Sequence, residues 1–397
     1  VSINTGSLRY TVANNFICGN FTAGDGAGIG HLGVSNMGVI KSNTIVFNQS
    51  LNNSFTQSGG GISVGGEPGN GGALTLGSGN VAIDSNLIQG NTAASGHGGG
   101  IRTTLVNGSE ATATHPLWKI TMTNNMVVNN VAAYSGGGIA LQDTVNATIV
   151  NNTVSNNDST ATVGGLIVNN TSSAAQPAGI VAELNSMGLA NAVSALKLLD
   201  PTTTSIDYSV YNTVYSEPQQ LLNNIIWHNR AFHFGTLTSG ATGLLPELAQ
   251  AFVGDCGAGA QYWDLGVLGS TTLSMAPQSS ILTSTTGYDA SNLSGDPDFL
   301  NDYCNGARTL STPGPILATP AIGEGGNFID VRYGPLTLAW PAASAPWDYH
   351  IGANSAGLNN AVSNGSNVPD LDIDGDPRPK GNGPNGAVDR GADERVQ

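Results

Sequence analysis

Through the first 230 residues, branched apolar residues recur at a fixed place inside a polar phrase, Asn-x-Ile/Val-x-x-Asn. The phrase occurs six times: Asn15-Phe-Ile-Cys-Gly-Asn20, Asn43-Thr-Ile-Val-Phe-Asn48, Asn86-Leu-Ile-Gln-Gly-Asn91, Asn125-Met-Val-Val-Asn-Asn130, Asn152-Thr-Val-Ser-Asn-Asn157 and Asn224-Ile-Ile-Trp-His-Asn229. After each of the first five comes a glycine cluster closed by a branched residue: Gly26-Ala-Gly-Ile29, Gly59-Gly-Gly-Ile62, Gly98-Gly-Gly-Ile101, Gly136-Gly-Gly-Ile139 and Gly164-Gly-Leu-Ile167. Self-similarity at a period of a few tens of residues marks a solenoid. Units this short and this rich in Gly, Asn, Thr and Val do not hold helix pairs. The intervals Asn15 to Asn43 (28 residues) and Asn125 to Asn152 (27 residues) suit one turn of a parallel β-helix, three short strands joined by tight bends.

Stacked turns lie about 4.8 Å apart. Asn15, Asn43, Asn86, Asn125, Asn152 and Asn224 are therefore expected to form a structural ladder, their amides hydrogen-bonding along the axis. The glycines are expected to supply positive φ at the next bend. The fold class read from this pattern is all-β, a right-handed parallel β-helix with a short helical excursion and an irregular C-terminal cap. Regular coils are assigned to 1–170, a side-packed excursion to 171–222, and irregular coils with the cap to 223–397, all in one continuous domain. Within the coils, 63–79 and 102–117 read as surface loops. Apolar spacing predicts two short helices in 178–199, stopped by Asp200-Pro201, and another over 243–252, with strands over 205–216.

Composition narrows the function. Only 10% of the 397 residues are charged, against roughly 25% in soluble domains generally. The net charge is −15, with 12 Lys and Arg against 27 Asp and Glu, so no basic patch is available for nucleic acid or anionic membrane. No apolar run approaches the ~18 residues of a membrane span. With neither an initiator Met nor a signal peptide, the sequence is expected to be a mature or partial piece of a longer precursor. Of the three cysteines, Cys18 reads as a buried thiol inside a ladder phrase, and Cys256 and Cys304 as a possible disulfide. Neither haem nor nucleotide is expected.

Two resemblances bear on identity. The stretch Ile88-Gln-Gly-Asn-Thr-Ala-Ala-Ser-Gly-His-Gly-Gly-Gly-Ile101 resembles the repeats of polymorphic outer-membrane and autotransporter passenger proteins. The second half resembles choice-of-anchor Q domain proteins of bacterial surfaces. The matching pieces are Asn223-Asn-Ile-Ile-Trp-His-Asn229, Gly295-Asp-Pro-Asp-Phe-Leu300, Leu371-Asp-Ile-Asp-Gly-Asp-Pro-Arg-Pro379 and Gly386-Ala-Val-Asp-Arg-Gly-Ala-Asp-Glu394. The resemblance implies a secreted bacterial β-helix, often one module of a larger surface protein, with no single activity. Only Arg395-Val-Gln397 follows Glu394 in this sequence, so the anchor such proteins usually carry is not expected within it and the mode of attachment is open.

Candidate chemistry is sparse. Asp370, Asp372, Asp374 and Asp376 alternate before and after Gly375, like the first half of a calcium loop, but Gly381 stands where a bidentate Glu belongs. The alternative is a capping turn whose carboxylates accept backbone N–H groups, with Arg378 or Arg390 as partner. Asp25, Ser58 and His97 share one repeat slot, yet a hydrolytic triad needs His between Ser and Asp, and Ser58 stands between the other two. His97 also sits in Gly-His-Gly, a tripeptide of pectin-hydrolysing β-helices, without their paired carboxylates. Lys41 and Asp84 are expected on adjacent coils, one pair where a lyase needs several acidic ligands. Trp227, Tyr262, Trp263, Trp340, Trp347 and Tyr349 form either a sugar-stacking platform or the packing of the cap. The function expected is a secreted, non-catalytic bacterial surface or extracellular protein: a scaffold, filament or adhesin module, self-associating or bound to other surface proteins. A polysaccharide lyase or glycoside hydrolase on the same fold is the alternative, as is a carbohydrate-binding module.

Overall fold

The structure is a computed structural model. It describes the chain except residues 53–57, 70–72, 164, 169–170, 200–205, 248–258, 305–346, 364–366, 380–387 and 396–397. Most of its strands lie in four sheets, and within each sheet every pairing is parallel. The first sheet takes Ser2–Asn4, Ile29–Leu32, Ile62–Gly65, Ile101–Thr104, Ile139–Gln142, Ile180–Ala182 and Leu265–Val267. The second takes Thr11–Ala13, Gly38–Lys41, Val81–Asp84, Ile120–Thr123, Ala147–Val150 and Gln220–Leu222. The third holds Phe16–Cys18, Thr44–Val46, Leu87–Gln89, Met126–Val128, Thr153–Ser155, Ile225–Trp227 and Ile281–Leu282. The fourth holds the two-residue strands Phe21–Thr22, Gln49–Ser50, Thr92–Ala93, Val131–Ala132, Asp158–Ser159 and Arg230–Ala231. The chain visits the sheets in rotation, so a rung has four short strands where the sequence suggested three. The extra break falls at the second Asn of each phrase, where the preceding residue bends the chain.

Register explains the apolar pattern. Ile17, Ile45, Ile88, Val127, Val154, Ile226 and Leu282 stand opposite one another down the third sheet. Ile29, Ile62, Ile101, Ile139, Ile180 and Leu265 do the same down the first. These columns, with those of the second sheet, form one buried core. Because side chains alternate between faces, one branched residue per short strand is enough to fill it. The bend before each first Asn is left-handed, with φ of 57° at Asn14, 53° at Ser42, 54° at Ser85, 53° at Asn124, 54° at Asn151 and 57° at Asn223. In the glycine clusters, the first Gly has positive φ, as at Gly98 (66°). The third allows close approach: a Cβ on Gly100 would lie 2.6 Å from a Val127 methyl carbon and 2.8 Å from the Gly138 carbonyl.

Several sequence expectations shift. The described residues 165–167 form no strand; Ile180 takes the place opposite Ile139, behind Gly179. Gly179 lies as tightly against the next rung as its counterparts, a Cβ there coming within 2.3 Å of the Asp264 carbonyl. The stretch 178–199 therefore opens with a strand and holds a single helix, Met187–Leu196, the only one among the described residues. Ser186 caps it by accepting the Leu189 N–H, and Leu189 and Val193, one turn apart, bury against Leu117, Val145, Tyr208 and Tyr211. No strand forms in the described part of 205–216; Tyr208 and Tyr211 pack on this helix, while Tyr215 joins the main core and bridges Leu184. Thr242–Leu245 pairs antiparallel with His233–Thr236, so the start of the expected second helix is a hairpin strand. After Leu265–Val267 and Ile281–Leu282 extend the first and third sheets, the described residues from 347 on add no further strand to the four sheets. Tyr349 and Ala392 pack on Met126 and Val128, and Ile351 packs on Ile225 and Ile281, so this segment covers the outer face of the third sheet. No helix among the described residues is long and apolar enough to cross a membrane.

Candidate functional site

The asparagine phrases build two hydrogen-bonded columns. Asn15, Asn43, Asn86, Asn125, Asn152 and Asn224 are joined Nδ2 to Oδ1 at 3.0, 2.9, 2.9, 3.0 and 3.2 Å. Asn20, Asn48, Asn91, Asn130, Asn157 and Asn229 are joined likewise at 2.8, 2.9, 3.0, 3.0 and 2.9 Å. In both, the backbone N–H donates to the same oxygen as the side chain, so each Oδ1 accepts two bonds from the rung before. The Asn-to-Asn bonds thus all run one way, each donor toward the C-terminal end, while the inner amides also donate back to a carbonyl of the preceding rung, as Asn86 does to Ile40. The second column ends on Asp264, and the first runs on through Ser280, whose N–H donates to Asn292 Oδ1 at 3.0 Å. Asn229 donates to Asp264 Oδ1 at 2.9 Å, and the Asn224 N–H donates to Ser280 Oγ at 3.0 Å. Burial pushes the Asp264 carboxyl upward, against the bonds from Asn229 and Thr283 that pull it down. The second column was legible in the same phrase, whose closing Asn is as regular as its opening one.

Of the acid–base candidates, Ser58 and His97 are buried, while Asp25 and Lys41 are exposed. Asp25 Oδ1 accepts the Ser58 N–H at 2.6 Å, and Ser58 Oγ accepts the His97 backbone N–H at 3.2 Å. Ser58 therefore meets the backbone of His97 and not its imidazole. The ring's Nδ1 lies 2.8 Å from Ser135 Oγ and 3.4 Å from Glu183 Oε1. A triad needs the hydroxyl and the carboxylate on opposite ring nitrogens; here both approach Nδ1. Glu183 also pairs with Arg102, whose other terminal nitrogen donates to Gln142 at 2.6 Å. His97, Arg102 and Ser135 are all buried, with Tyr134 stacked on the imidazole at 4.2 Å. Burial lowers the His97 pKa to about 4, with the Glu183 charge opposing and the Arg102 charge reinforcing. Glu183 is held below the usual range because Arg102 and His97 outweigh its own burial. Lys41 and Asp84 do lie on adjacent strands, 3.0 Å apart, but their column otherwise holds Ala13, Thr123, Val150 and Leu222.

The fourth sheet carries a charge pair that sequence reading missed. Arg230 donates from Nε and Nη2 to Asp158, both at 2.8 Å, on adjacent rungs and out of contact with solvent. Only the register brings them together, since 72 residues separate them.

In the acidic tail, Asp372 is consumed by the backbone. Its Oδ1 accepts the N–H of Asp374 and Asp376 at 2.9 and 2.8 Å, and its Oδ2 accepts that of Glu394 at 2.9 Å. Asp370 and Asp374 are exposed and Asp376 half-buried. Arg378, fully buried, donates to Glu394 at 3.0 Å and to the carbonyls of Gly391 and Ala392. Burial is the largest influence on both partners, lowering Arg378 and raising Glu394 to about 7. The tail is tied to the stack by the left-handed asparagines: Asn124 donates to the Leu371 carbonyl at 2.9 Å, Asn151 to Asp389 at 3.0 Å and Asn223 to Val362 at 2.9 Å.

The aromatics divide. Tyr349 is buried and Trp347 lies 4.4 Å from Tyr303 in the C-terminal segment. Trp227, His228 and Tyr262 form a stack with successive ring spacings of 4.4 Å, which uses their inner faces on one another. Trp263 beside them is exposed, and Trp340 lies outside the described residues. Cys18 is a free, half-buried thiol, and Cys304 is buried and disulfide-bonded; Cys256 lies outside the described residues. No family model, curated protein or solved structure matches the chain, so its function has to be read from this geometry.

Proposed function

We propose that the rungs close into a right-handed parallel β-helix serving as a non-catalytic scaffold or adhesin module of a secreted bacterial surface protein. Handedness follows from the rule that parallel strands of one sheet joined by a crossover connect right-handedly in about 98% of cases. The observation carrying the functional reading is where the polar side chains go: two Asn columns and a set of tail clamps consume them, and the His97–Glu183–Arg102 group is buried. The tail's resemblance to choice-of-anchor Q domain proteins points the same way.

Column polarity bears on self-association. Asn15 and Asn20 donate to the next rung, and no described group donates to their Oδ1 atoms. Phe16 and Phe21 are exposed on the same rung. At the opposite end the second column stops on Asp264, while the first runs through Ser280 to Asn292, whose amide groups turn back to the carbonyls of Pro277 and Asp289. The rung of Asn15 and Asn20 therefore offers acceptors to a rung stacked on it, whether from residues preceding this sequence or from a partner.

The test is negative-stain electron microscopy with and without a calcium chelator, run beside a screen for cleavage of acidic polysaccharides. Rods, single or paired at one end, with no new sugar ends fit the proposal. Release of reducing or unsaturated ends would overturn it in favour of a lyase or hydrolase. Loss of assembly on chelation would place a calcium-loaded 370–376 loop within the scaffold. The exposed Trp263 beside the Trp227–His228–Tyr262 stack favours carbohydrate as a ligand of such a module, checked by quenching of tryptophan fluorescence with oligosaccharides.

A further inference from the structure

We propose a divalent transition-metal site, zinc first, formed by His350, Asp374 and Asp393 and oriented by Asp348. On the strand Asp348–Ile351, Tyr349 and Ile351 are buried toward the third sheet, which puts Asp348 and His350 together on the opposite face. The Nδ1 of His350 is hydrogen-bonded to Asp348 Oδ1. Its Nε2 lies 2.8 Å from Asp374 Oδ2. Asp393 uses one oxygen to accept the Ile351 N–H at 2.8 Å, and no described residue donates to the other. One ligand atom from each of His350, Asp374 and Asp393 falls within a common span of 4.8 Å.

A second observation points to a ligand. His350 Nε2 is shielded from solvent yet makes no properly directed hydrogen bond, although the Asp374 oxygen is within reach by distance. A ring whose Nδ1–H is held by a carboxylate presents Nε2 as a lone pair, the arrangement that orients metal-bound histidines. Three other tail carboxylates, Asp372, Asp389 and Glu394, accept backbone N–H groups. Zinc takes His and carboxylate ligands at about 2.0–2.2 Å, so the three donors must draw together around it, and Asp374, on an exposed turn, has room to move. One imidazole with two carboxylates suits a first-row transition ion better than calcium, which takes oxygen ligands. Bound there, the ion would clasp the strand Asp348–Ile351 to the 370–376 turn and to the closing segment that carries Asp393. The competing state is an imidazolium bridged by Asp348 and Asp374.

The experiment is isothermal titration of chelator-stripped protein with zinc chloride, and in parallel with calcium chloride. The variants are His350→Gln, Asp374→Asn and Asp348→Asn. One equivalent of zinc is expected. His350→Gln should abolish it, and Asp348→Asn should weaken it by about 10–100-fold, the usual effect of losing an orienting partner. Asp374 is more than half exposed (55%), so Asp374→Asn should keep the wild-type circular dichroism while weakening zinc binding. Absence of zinc heat overturns the proposal, as does zinc binding undiminished in His350→Gln or calcium binding in its place.

Discussion

Asn125→Leu tests whether the asparagine columns carry the stability of the stack. Asn125 has no exposed surface. Its Nδ2 donates to Asn152 Oδ1 at 3.0 Å and to the Ile83 carbonyl at 2.9 Å; its Oδ1 accepts Asn86 Nδ2 at 2.9 Å and the Asn86 N–H at 3.1 Å. Leucine has much the same shape and none of these bonds. The Asn86 N–H has no other partner and becomes a buried orphan, costing about 1–3 kcal/mol, while the three remaining bonds are worth about 0.5–1.5 kcal/mol each. Set against the apolar surface that leucine adds, the net loss is about 4 kcal/mol. Asn15→Leu is the control. Asn15 is exposed, accepts no bond on its side chain, and leaves Asn43 Oδ1 still bonded to its own N–H at 3.0 Å. Its loss should stay below about 1 kcal/mol. Urea unfolding should be followed by both circular dichroism and tryptophan fluorescence, because a stack of repeats need not unfold in one step. Hydrogen exchange at Asn86 adds a local readout: its amide should lose protection in Asn125→Leu and keep it in Asn15→Leu. Equal, small effects in both variants, with the Asn86 amide still protected, would refute the energetic role of the column.

Two other perturbations have clear signs. Arg230→Met strips the bidentate partner from the fully buried Asp158 and should cost about 3–5 kcal/mol, whereas Arg230→Met with Asp158→Leu should recover most of it, measured by urea unfolding. Failure of the double variant to recover would mean that the cost lies in packing. His97 has its folded pKa depressed from 6.5 to about 4, so it contributes stability that is present above pH 6.5 and lost as pH falls toward 4. The full effect is at most about 3 kcal/mol. His97→Gln should flatten the pH dependence of the melting temperature in that window; an unchanged slope would show that the ring titrates normally.

How much of this was readable depends on how far apart the contributing residues lie. The third-sheet core column, Ile17 to Ile226, and the first Asn column were carried by a six-residue phrase, because a strand repeats its side-chain order every rung and stacking copies that order in space. The same local reasoning misplaced the fifth glycine strand. Gly164-Gly-Leu-Ile167 matches the phrase, but Gly179-Ile180 is what pairs with Ile139. A glycine pair marks where backbones can approach without requiring that they do. The 178–199 stretch has apolar spacing compatible with helix throughout. Its first part became Ile180–Ala182 because a free sheet edge offered backbone partners that a lone helical turn could not match. The Arg230–Asp158 pair and the His97–Glu183 contact carry no local signal, since they join different rungs or the stack and the excursion.

The placement of the tail shows the limit most clearly, and also a clue that was present. Where the C-terminal segment lies against the third sheet, the bend residue before the ladder Asn is itself Asn: Asn124, Asn151 and Asn223 hold left-handed φ and donate to Leu371, Asp389 and Val362. At the bends of the two rungs before them the same position is Ser42 and Ser85. Left-handed backbone alone would explain an asparagine there, as it does at Asn14, where no such clamp forms. A doublet on three consecutive rungs asks for something more. A side-chain amide in a left-handed bend points away from the core, and repeating it rung after rung supplies a row of donors along one flank. Such a row fits an extended backbone laid across the rungs, and the segment with carbonyls to receive it is the acidic tail.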